Sequence, residues 1–326
     1  MNSVTASQTK KDKKCYLSLN HLGIAKGKSY FQYYLLLKTS MKQLLLFTFF
    51  VFTTILNAFS QKNSPTIGPE NGSLLIVGGG KIPAEVWAKF IELAGGEGAN
   101  IVIIPTAMGD SSIKSSKGFS AEKELLEKFG VAKVTVLHTT DPKEANTEAF
   151  IVPLKKATGV WFVGGRQWRL ADSYLNTLAH KEFKNLLNRS GVIGGTSAGA
   201  TIQGSFLFRG DSKSNTVLEG DHVQGLDFIH DVAIDQHILP RNRQFDLIPI
   251  IKKYPNLLGI GIDESTAIIV KKDQFEVIGN SVIAIYDIAN FEQKLINPSG
   301  ESGNNGPFFF LSKGQKFNLK DRKIAK

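Results

Sequence analysis

The chain has 326 residues, of which 42% are hydrophobic and 21% are charged. This is the composition of an ordinary globular protein, and it excludes a wholly disordered, a collagen-like or a polytopic membrane protein. The formal charge of +10 is concentrated at the N-terminus, because residues 1–60 hold eight of the 39 basic residues and one acid, Asp12. The charge therefore predicts no nucleic-acid partner for the rest of the chain. The single cysteine, Cys15, leaves the body of the chain without a disulfide framework, a cysteine zinc site or a cysteine nucleophile.

Residues 41–60 have the pattern of a secretory signal peptide. Lys42 precedes an uncharged apolar run, residues 44–56, and the small-x-small sequence of residues 58–60 follows. This run of 13 residues is short for a membrane-spanning helix, which needs about 20. We therefore expect a secreted or periplasmic protein that contacts a membrane only if this segment stays uncleaved.

The N-terminal organisation follows from where a signal peptide normally starts. Such a peptide begins at the start codon, so we expect Met41 to be the true start. In chain order, we expect an extension of the gene prediction (1–40), the signal peptide (41–60), a polar leader (61–72), a single domain (73–320) and a short tail (321–326).

Apolar runs and amphipathic stretches alternate over the first two thirds of the domain. The apolar runs predict strands at 73–77, 101–105, 134–138, 159–163 and 192–195, and the amphipathic stretches predict helices at 83–94, 120–129 and 172–188. Strand, glycine turn and helix in repetition indicate an α/β fold with a mostly parallel sheet wrapped by helices. Such a sheet binds ligands beyond the carboxyl ends of its strands, where Gly78–Gly80 and Gly164–Gly165 fall.

The hydrophobic pattern changes in the last third of the chain. Short apolar runs joined by turns predict strands at 266–270, 275–278, 281–287 and 308–311. We expect these strands to form an antiparallel C-terminal extension of the same sheet.

The most specific motif is the G-x-S-x-G sequence of residues 195–199. It follows an apolar strand and precedes a predicted helix, which is the context of a nucleophile elbow. The flanking glycines leave space for a serine on a strained turn. The alternative is a tight turn in which Ser197 only caps the helix.

A nucleophilic serine needs a base and an acid that orients the base. His237 is the histidine that lies among other polar groups of catalytic type, and Asp263-Glu264 closes an apolar strand. The alternatives are a surface histidine and a strand-end cap. The order Ser197, His237, Glu264 argues against an ordinary α/β-hydrolase, in which the acid precedes a late histidine.

Six motifs in order resemble the cyanophycinase and dipeptidase E family of serine peptidases. They are LIVGGG (75–80), IIPT (103–106), VWFVGGRQWRL (160–170), GGTSAGA (194–200), DQHILPRNR (235–243) and GIGIDESTA (259–267). The resemblance spans residues 73–320 and is closer to the cyanophycinase branch. It implies a fold similar to class I glutamine amidotransferases, which is flavodoxin-like, and a homodimer.

The resemblance also implies roles for individual residues. It makes Ser197 the nucleophile, His237 the general base and Glu264 its acid partner. The oxyanion-hole amides would come from Gly165 and Ala198, and the substrate-binding side chains would be Gln167, Arg241 and Arg243. Two arginines near the nucleophile suit a substrate carboxylate, which a guanidinium binds in a bidentate manner. Without the resemblance, they would be interpreted as an ordinary basic loop.

Arg166 departs from the family pattern, because cyanophycinases usually carry Asp or Asn at this position. A cation beside the pocket disfavours a cationic substrate side chain. Cyanophycin carries an arginine on each branch, so we expect Arg166 to affect substrate choice and to argue against cyanophycin as the substrate.

These observations together predict a secreted serine peptidase that hydrolyses an amide next to an aspartyl or β-aspartyl residue through an acyl-enzyme. The alternatives are a secreted esterase that uses the same elbow and a non-catalytic α/β binding protein. No metal or organic cofactor is expected, because no His, Cys or Asp cluster has ligand spacing. A dinucleotide site at Gly78–Gly80 is excluded by Pro83, which stands where the motif needs Gly or Ala. A glutamine amidotransferase would need cysteine in place of Ser197.

Overall fold

The computed structural model describes residues 65–115, 119–289 and 308–325, together with Lys38 and Gln43. By its internal contacts the chain divides into Met1–Ser64 and Pro65–Lys326, and the fold belongs to the second unit. The predicted signal peptide and the segment before it lie outside the described residues, apart from those two positions. Within the described ranges, no helix combines the length and apolar character needed to cross a membrane.

The elements alternate through most of this unit. The strands are β1 (Ser73–Val77), β2 (Asn100–Ile104), β3 (Lys133–Val136), β4 (Gly159–Phe162), β5 (Val192–Thr196), β6 (Gly204–Phe206), β7 (Ile229–Gln236), β8 (Leu258–Ile262), β9 (Thr266–Lys271), β10 (Gln274–Gly279), β11 (Val282–Tyr286), β12 (Phe309–Ser312), β13 (Lys316–Asn318) and β14 (Lys323–Ala325). The helices are α1 (Ala84–Leu93), α2 (Asp110–Lys114), α3 (Ser120–Lys128), α4 (Pro142–Ala145), α5 (Glu148–Lys156), α6 (Gln167–Tyr174), α7 (Leu178–Asn188), α8 (Ala198–Thr201) and α9 (Leu247–Lys253), with a 3-10 turn at Gly96–Gly98.

The first sheet has nine strands in the order β14-β13-β10-β9-β1-β5-β4-β2-β3. The five strands from β1 to β3 in this order are parallel, as predicted, and the other four are antiparallel. Val77 at the end of β1 pairs with Thr196 at the end of β5. The register therefore brings the residues that follow these two strands to one edge of the sheet.

Helices cover both faces of the parallel strands, as such strands require. The side chains of β4 alternate between the faces. On one face, Trp161 packs against Phe90 of α1, with ring centroids 4.9 Å apart. On the other face, Phe162 packs against Phe183 of α7 at 5.1 Å. The α/β class and the helix-flanked sheet predicted from the sequence are confirmed.

A second sheet was not predicted. Its five strands have the order β12-β11-β8-β7-β6, and β6, β7 and β8 are parallel. The prediction of one continuous sheet was therefore wrong: β9 and β10 extend the first sheet, whereas β11 pairs with β8 and β12 pairs with β11 in the second sheet. Apolar runs indicate that a strand exists, but its partner depends on contacts with residues that are distant in the chain.

The predicted long helix at 172–188 is two helices, α6 and α7. Asn176 adopts φ 59° between them, a left-handed conformation that asparagine tolerates better than most residues. Thr177 then caps α7, since its Oγ1 accepts a hydrogen bond from the His180 N–H at 3.3 Å. The helical periodicity continues across the break, which is why the sequence pattern did not reveal it.

Candidate active site

Ser197 lies on a strained turn between β5 and α8. Its backbone has φ 55° and ψ −114°, a conformation that costs on the order of 1–3 kcal/mol and is typical of functional sites. A Cβ on Gly195 would lie 2.3 Å from the carbonyl oxygen of Gly199, and a Cβ on Gly199 would lie 2.2 Å from that of Phe162. Both glycines of the motif are therefore required by close backbone approach.

The Ser197 side chain does not cap the following helix. It makes no capping hydrogen bond. Instead, its hydroxyl lies 2.9 Å from Nε2 of His237, whose Nδ1 lies 2.5 Å from Oε1 of Glu264. A carboxylate can only accept, so the Nδ1–H donates to Glu264 and Nε2 is left to accept the serine proton. The structure thus brings the three predicted side chains into one hydrogen-bonded series.

The second sheet positions the histidine and the carboxylate. His237 follows β7 and Asp263-Glu264 follows β8, and the last residues of these parallel strands, Gln236 and Ile262, are paired. Asp263 is buried and accepts from the Leu239 N–H and the Ser281 hydroxyl at 3.0 and 2.6 Å. Glu264 is the member of the acidic pair that reaches the imidazole.

The other histidines of the described ranges bond elsewhere. His138 contacts Thr106, His180 contacts the Leu226 carbonyl, His222 contacts Asp172 and Asp221, and His230 contacts Asp227. None of these contacts reaches Ser197. No group of three or more His, Cys, Asp or Glu side chains in the described part of the chain is arranged to hold a metal ion.

Burial lowers the pKa of His237 below its ordinary value of 6.5. The imidazole is 6% exposed, so water stabilises its charged form poorly. The hydrogen bond to Glu264 acts in the opposite direction, and the positive charges of Arg241 and Arg243 lower the pKa further. The lowered pKa favours the neutral imidazole, which is the state a general base needs.

This pKa predicts the acid limb of the pH profile. Protonated His237 cannot accept the serine proton, so kcat/KM is expected to fall as the pH drops through the pKa of the free enzyme, with a midpoint below 6.5. Peptidase assays between about pH 5 and 8 measure this midpoint. Arg241→Gln removes a charge that lowers the pKa and should move the midpoint upward. A wild-type midpoint above 6.5 would contradict the burial argument.

Of the predicted oxyanion-hole residues, Ala198 follows the serine in the chain, and Gly165 follows Gly164, which approaches the serine side chain. Gly165 has φ 146° and approaches the backbone of Ala107, whose carbonyl oxygen would be 2.2 Å from a Cβ at this position. A Cβ on the preceding residue, Gly164, would lie 3.2 Å from the Ser197 Cβ. Neither the Gly165 nor the Ala198 N–H donates to a carbonyl of the described residues.

Arg166 and Gln167 connect this glycine turn to the segment after β6. Gln167 is buried, and its Nε2 donates to the carbonyls of Phe208 and Arg209 at 2.9 and 2.8 Å. Nη2 of Arg166 donates to the Asp211 carbonyl at 2.7 Å. The Gln167 amide nitrogen is thus occupied within the protein, and the predicted role of both residues in substrate binding remains a prediction.

The two arginines after His237 differ in environment. Arg241 is exposed, whereas Arg243 is buried with Nη1 3.6 Å from Oδ1 of Asp235. Asp235 is fully buried and also pairs with Arg209, which is 3% exposed, at 3.2 Å. Arg209 was missed by sequence reasoning, because nothing in its neighbourhood along the chain indicates a buried carboxylate partner. Arg241 is therefore the more accessible of the two predicted carboxylate ligands.

Comparison with known proteins identifies relatives for this site. The family model described as Peptidase family S51 matches residues 74–278. The cyanophycinase of Geminocystis herdmanii is 32% identical over 222 residues, which cover 66% of this chain and 80% of that protein. The cyanophycinase of Trichormus variabilis is 28% identical over 267 residues, covering 77% and 87%.

A solved structure shares the fold. The crystal structure of a peptidase from an acI-B1 Actinobacterium superposes with a TM-score of 0.58 at 22% sequence identity. The match covers 77% of this chain and 98% of that peptidase.

Proposed function

The chain belongs to peptidase family S51, a family of serine peptidases, and from that premise we propose that it hydrolyses an amide bond next to an aspartyl or β-aspartyl residue. The observation that carries this proposal is the hydrogen-bonded series of Ser197, His237 and Glu264 at the carboxyl ends of strands from two sheets. The names of the relatives, cyanophycinases, support an isopeptide-type substrate.

The proposed reaction begins with attack of the Ser197 oxygen on the carbonyl carbon. Nε2 of His237 accepts the hydroxyl proton during the attack and returns it to the leaving amine, which produces an acyl-enzyme. Water then attacks the ester while His237 accepts its proton. The bond between the acyl carbon and the Ser197 oxygen breaks, and His237 returns the proton to that oxygen, which releases the carboxylic acid product. Glu264 keeps the other proton on Nδ1 and stabilises the imidazolium that forms at each step.

The negative charge that develops on the carbonyl oxygen must be stabilised by hydrogen-bond donors. We assign this role to the N–H groups of Gly165 and Ala198, because Ala198 follows the nucleophile and Gly165 follows Gly164, which approaches it. Neither N–H donates to a backbone carbonyl of the described residues. Loss of one such donor typically reduces turnover by on the order of 10²–10³. These donors are fixed by backbone geometry, so they need no reorganisation during the reaction.

The charges around the site favour an anionic substrate without a cationic branch. The Arg243 charge is offset by Asp235, whereas Arg241 is exposed and affects His237 electrostatically. We assign Arg241 to the substrate carboxylate. The polar contact of Arg166 is with a neutral carbonyl, so its positive charge is retained and disfavours an arginine side chain. A β-aspartyl peptide with a neutral partner residue therefore fits better than cyanophycin.

A substrate panel tests this proposal on the chain from Gln61 onward. We expect β-Asp-Leu to be cleaved with a kcat/KM about tenfold above that of β-Asp-Arg, with cyanophycin cleaved more slowly. Arg166→Asp should reverse the preference. Lys133→Asp is the control: it makes the same change in charge at the amino end of β3 and should leave the preference unchanged.

Other outcomes would contradict the proposal in different ways. Efficient cleavage of cyanophycin by the wild type would show that the charge of Arg166 does not select the substrate. Turnover of a simple acyl ester without any β-aspartyl dipeptide would indicate an esterase. An absence of labelling of Ser197 by a fluorophosphonate would indicate a binding protein.

A further inference from the structure

We propose that residues 77–80, at the carboxyl end of β1, are the element that assembles the three catalytic side chains, and that the imidazole and the carboxylate require glycine at positions 79 and 80. This inference rests on the proposed function, in which those side chains carry the chemistry. The glycine triplet had no assigned role once a dinucleotide site was excluded.

Three consecutive carbonyls of this segment bind the backbone of the three catalytic regions. The Val77 carbonyl accepts from the Ser197 N–H at 3.1 Å, and the Gly78 carbonyl accepts from the His237 N–H at 3.1 Å. The Gly79 carbonyl accepts from the N–H of Ser265, the residue after Glu264, at 2.9 Å. One short segment therefore sets the backbone positions of nucleophile, base and acid relative to each other.

The segment matters because the catalytic residues come from different sheets. Ser197 follows a strand of the first sheet, whereas His237 and Glu264 follow strands of the second sheet. No strand pairing joins the two sheets within the described ranges. The spacing between serine and imidazole therefore depends on contacts made across the sheets, and the hydrogen bond from the His237 N–H to the Gly78 carbonyl is one of them.

Side chains at positions 79 and 80 would occupy the space of the catalytic groups. A Cβ on Gly79 would lie 2.1 Å from Cε1 and 2.6 Å from Nε2 of His237. A Cβ on Gly80 would lie 2.6 Å from Oε2 and 2.8 Å from Cβ of Glu264. Non-bonded carbon atoms normally stay about 3.5–4.0 Å apart, so an alanine at either position must displace the catalytic side chain.

The chain contains matched controls for these two glycines. Gly79 and Gly95 have φ of 112° and 109°, and Gly80 and Gly96 both have φ of 67°. A Cβ on Gly95 or Gly96 would have no heavy atom within 4 Å. Alanine at 95 or 96 therefore adds the same left-handed backbone strain without a collision, and the difference within each pair isolates the contact with the catalytic group.

The test is to compare four variants: Gly79→Ala, Gly80→Ala, Gly95→Ala and Gly96→Ala. All four should lower the melting temperature, because alanine is strained at positive φ. Gly95→Ala and Gly96→Ala should keep kcat within about threefold of the wild type, since strain remote from the site leaves its geometry intact. Gly79→Ala should lower kcat by about 10²-fold, the usual effect of a misplacement of about 1 Å.

Gly80→Ala should change both kcat and the pH dependence of kcat/KM. It should lower kcat by at least about tenfold with little change in KM, because it displaces a group that acts in the transition state and does not bind substrate. The hydrogen bond that His237 donates to Glu264 raises the pKa of His237, so loss of this bond should move the acid limb of kcat/KM to lower pH. If Gly80→Ala only destabilised the fold, the acid limb would keep the midpoint of the wild type.

An NMR titration of the His237 Hε1 proton measures the His237 pKa and therefore reports on the same contacts without an activity assay. We expect the His237 pKa to shift in Gly79→Ala and Gly80→Ala but not in Gly95→Ala or Gly96→Ala. If the wild type shows no turnover and the shifts appear, the proposed function fails while the assembly role stands. The inference is overturned if either site variant matches its paired control in both kcat and the His237 pKa. If Gly79→Ala does not fold, the comparison of Gly80→Ala with Gly96→Ala decides.

Discussion

Replacing Ser197 with alanine is expected to reduce kcat by on the order of 10⁶, the loss typical of a missing serine nucleophile. The hydroxyl makes its side-chain contact with Nε2 of His237 and does not cap α8, so its removal breaks no bond that holds the fold. Thermal melting and the circular dichroism spectrum should therefore match the wild type. The loss is measured with β-Asp-Leu and with a fluorophosphonate, which should no longer label the protein.

Ser190→Ala is the matched control for this substitution. Ser190 is exposed and has φ 68°, close to the 55° of Ser197. Both variants place alanine at positive φ, so an effect of positive φ alone is present in both. Ser190→Ala should retain full turnover. If Ser197→Ala also retained it, another residue would have to be the nucleophile and the proposed mechanism would be wrong.

Glu264→Gln is expected to lower kcat by on the order of 10⁴, as for the acid of other catalytic triads. The carboxylate accepts the Nδ1–H of His237 at 2.5 Å. A carboxamide can turn its NH₂ toward Nδ1, which places the imidazole proton on Nε2 and prevents it from accepting the serine proton. The side chain is 35% exposed, so the effect on the melting temperature should be small.

Steady-state assays of Glu264→Gln and of Glu92→Gln separate this effect from a general change in charge. Glu92 is 66% exposed on α1 and pairs with Lys89, and its substitution removes the same negative charge from the surface. Glu92→Gln should leave kcat unchanged. A loss of less than about tenfold in Glu264→Gln would show that the imidazole is oriented without the acid.

Features whose causes lie close together in the chain were predictable from the sequence. β1 was predicted with the bounds that the structure shows, Ser73–Val77, because a short apolar run between polar turns is itself the cause of a buried strand. The turn at Ser197 was predictable for the same reason, since the strand, the two glycines and the following helix are contiguous in residues 192–201.

Features that depend on distant contacts were not predictable. The break at Asn176 was hidden by a continuous helical pattern, and the choice of Glu264 over Asp263 depends on the Leu239 N–H and the Ser281 hydroxyl that occupy Asp263. The buried pair of Arg209 and Asp235 joins residues 26 positions apart. In each case a partner far along the chain decides the outcome.

The same reason explains why the sequence predicted the motifs but not the geometry of the active site. Local patterns predicted the serine turn and proposed His237 and the pair Asp263-Glu264 as partners, and the family resemblance selected Glu264 and assigned the roles. Only packing of two separate sheets brings Ser197 to within 2.9 Å of His237. The carbonyls of residues 77–79, which bind the backbone near each of the three side chains, lie outside the motifs that contain those side chains. Local backbone preference acts over a few residues, whereas distances between side chains from separate strands are set by how those strands pair and pack.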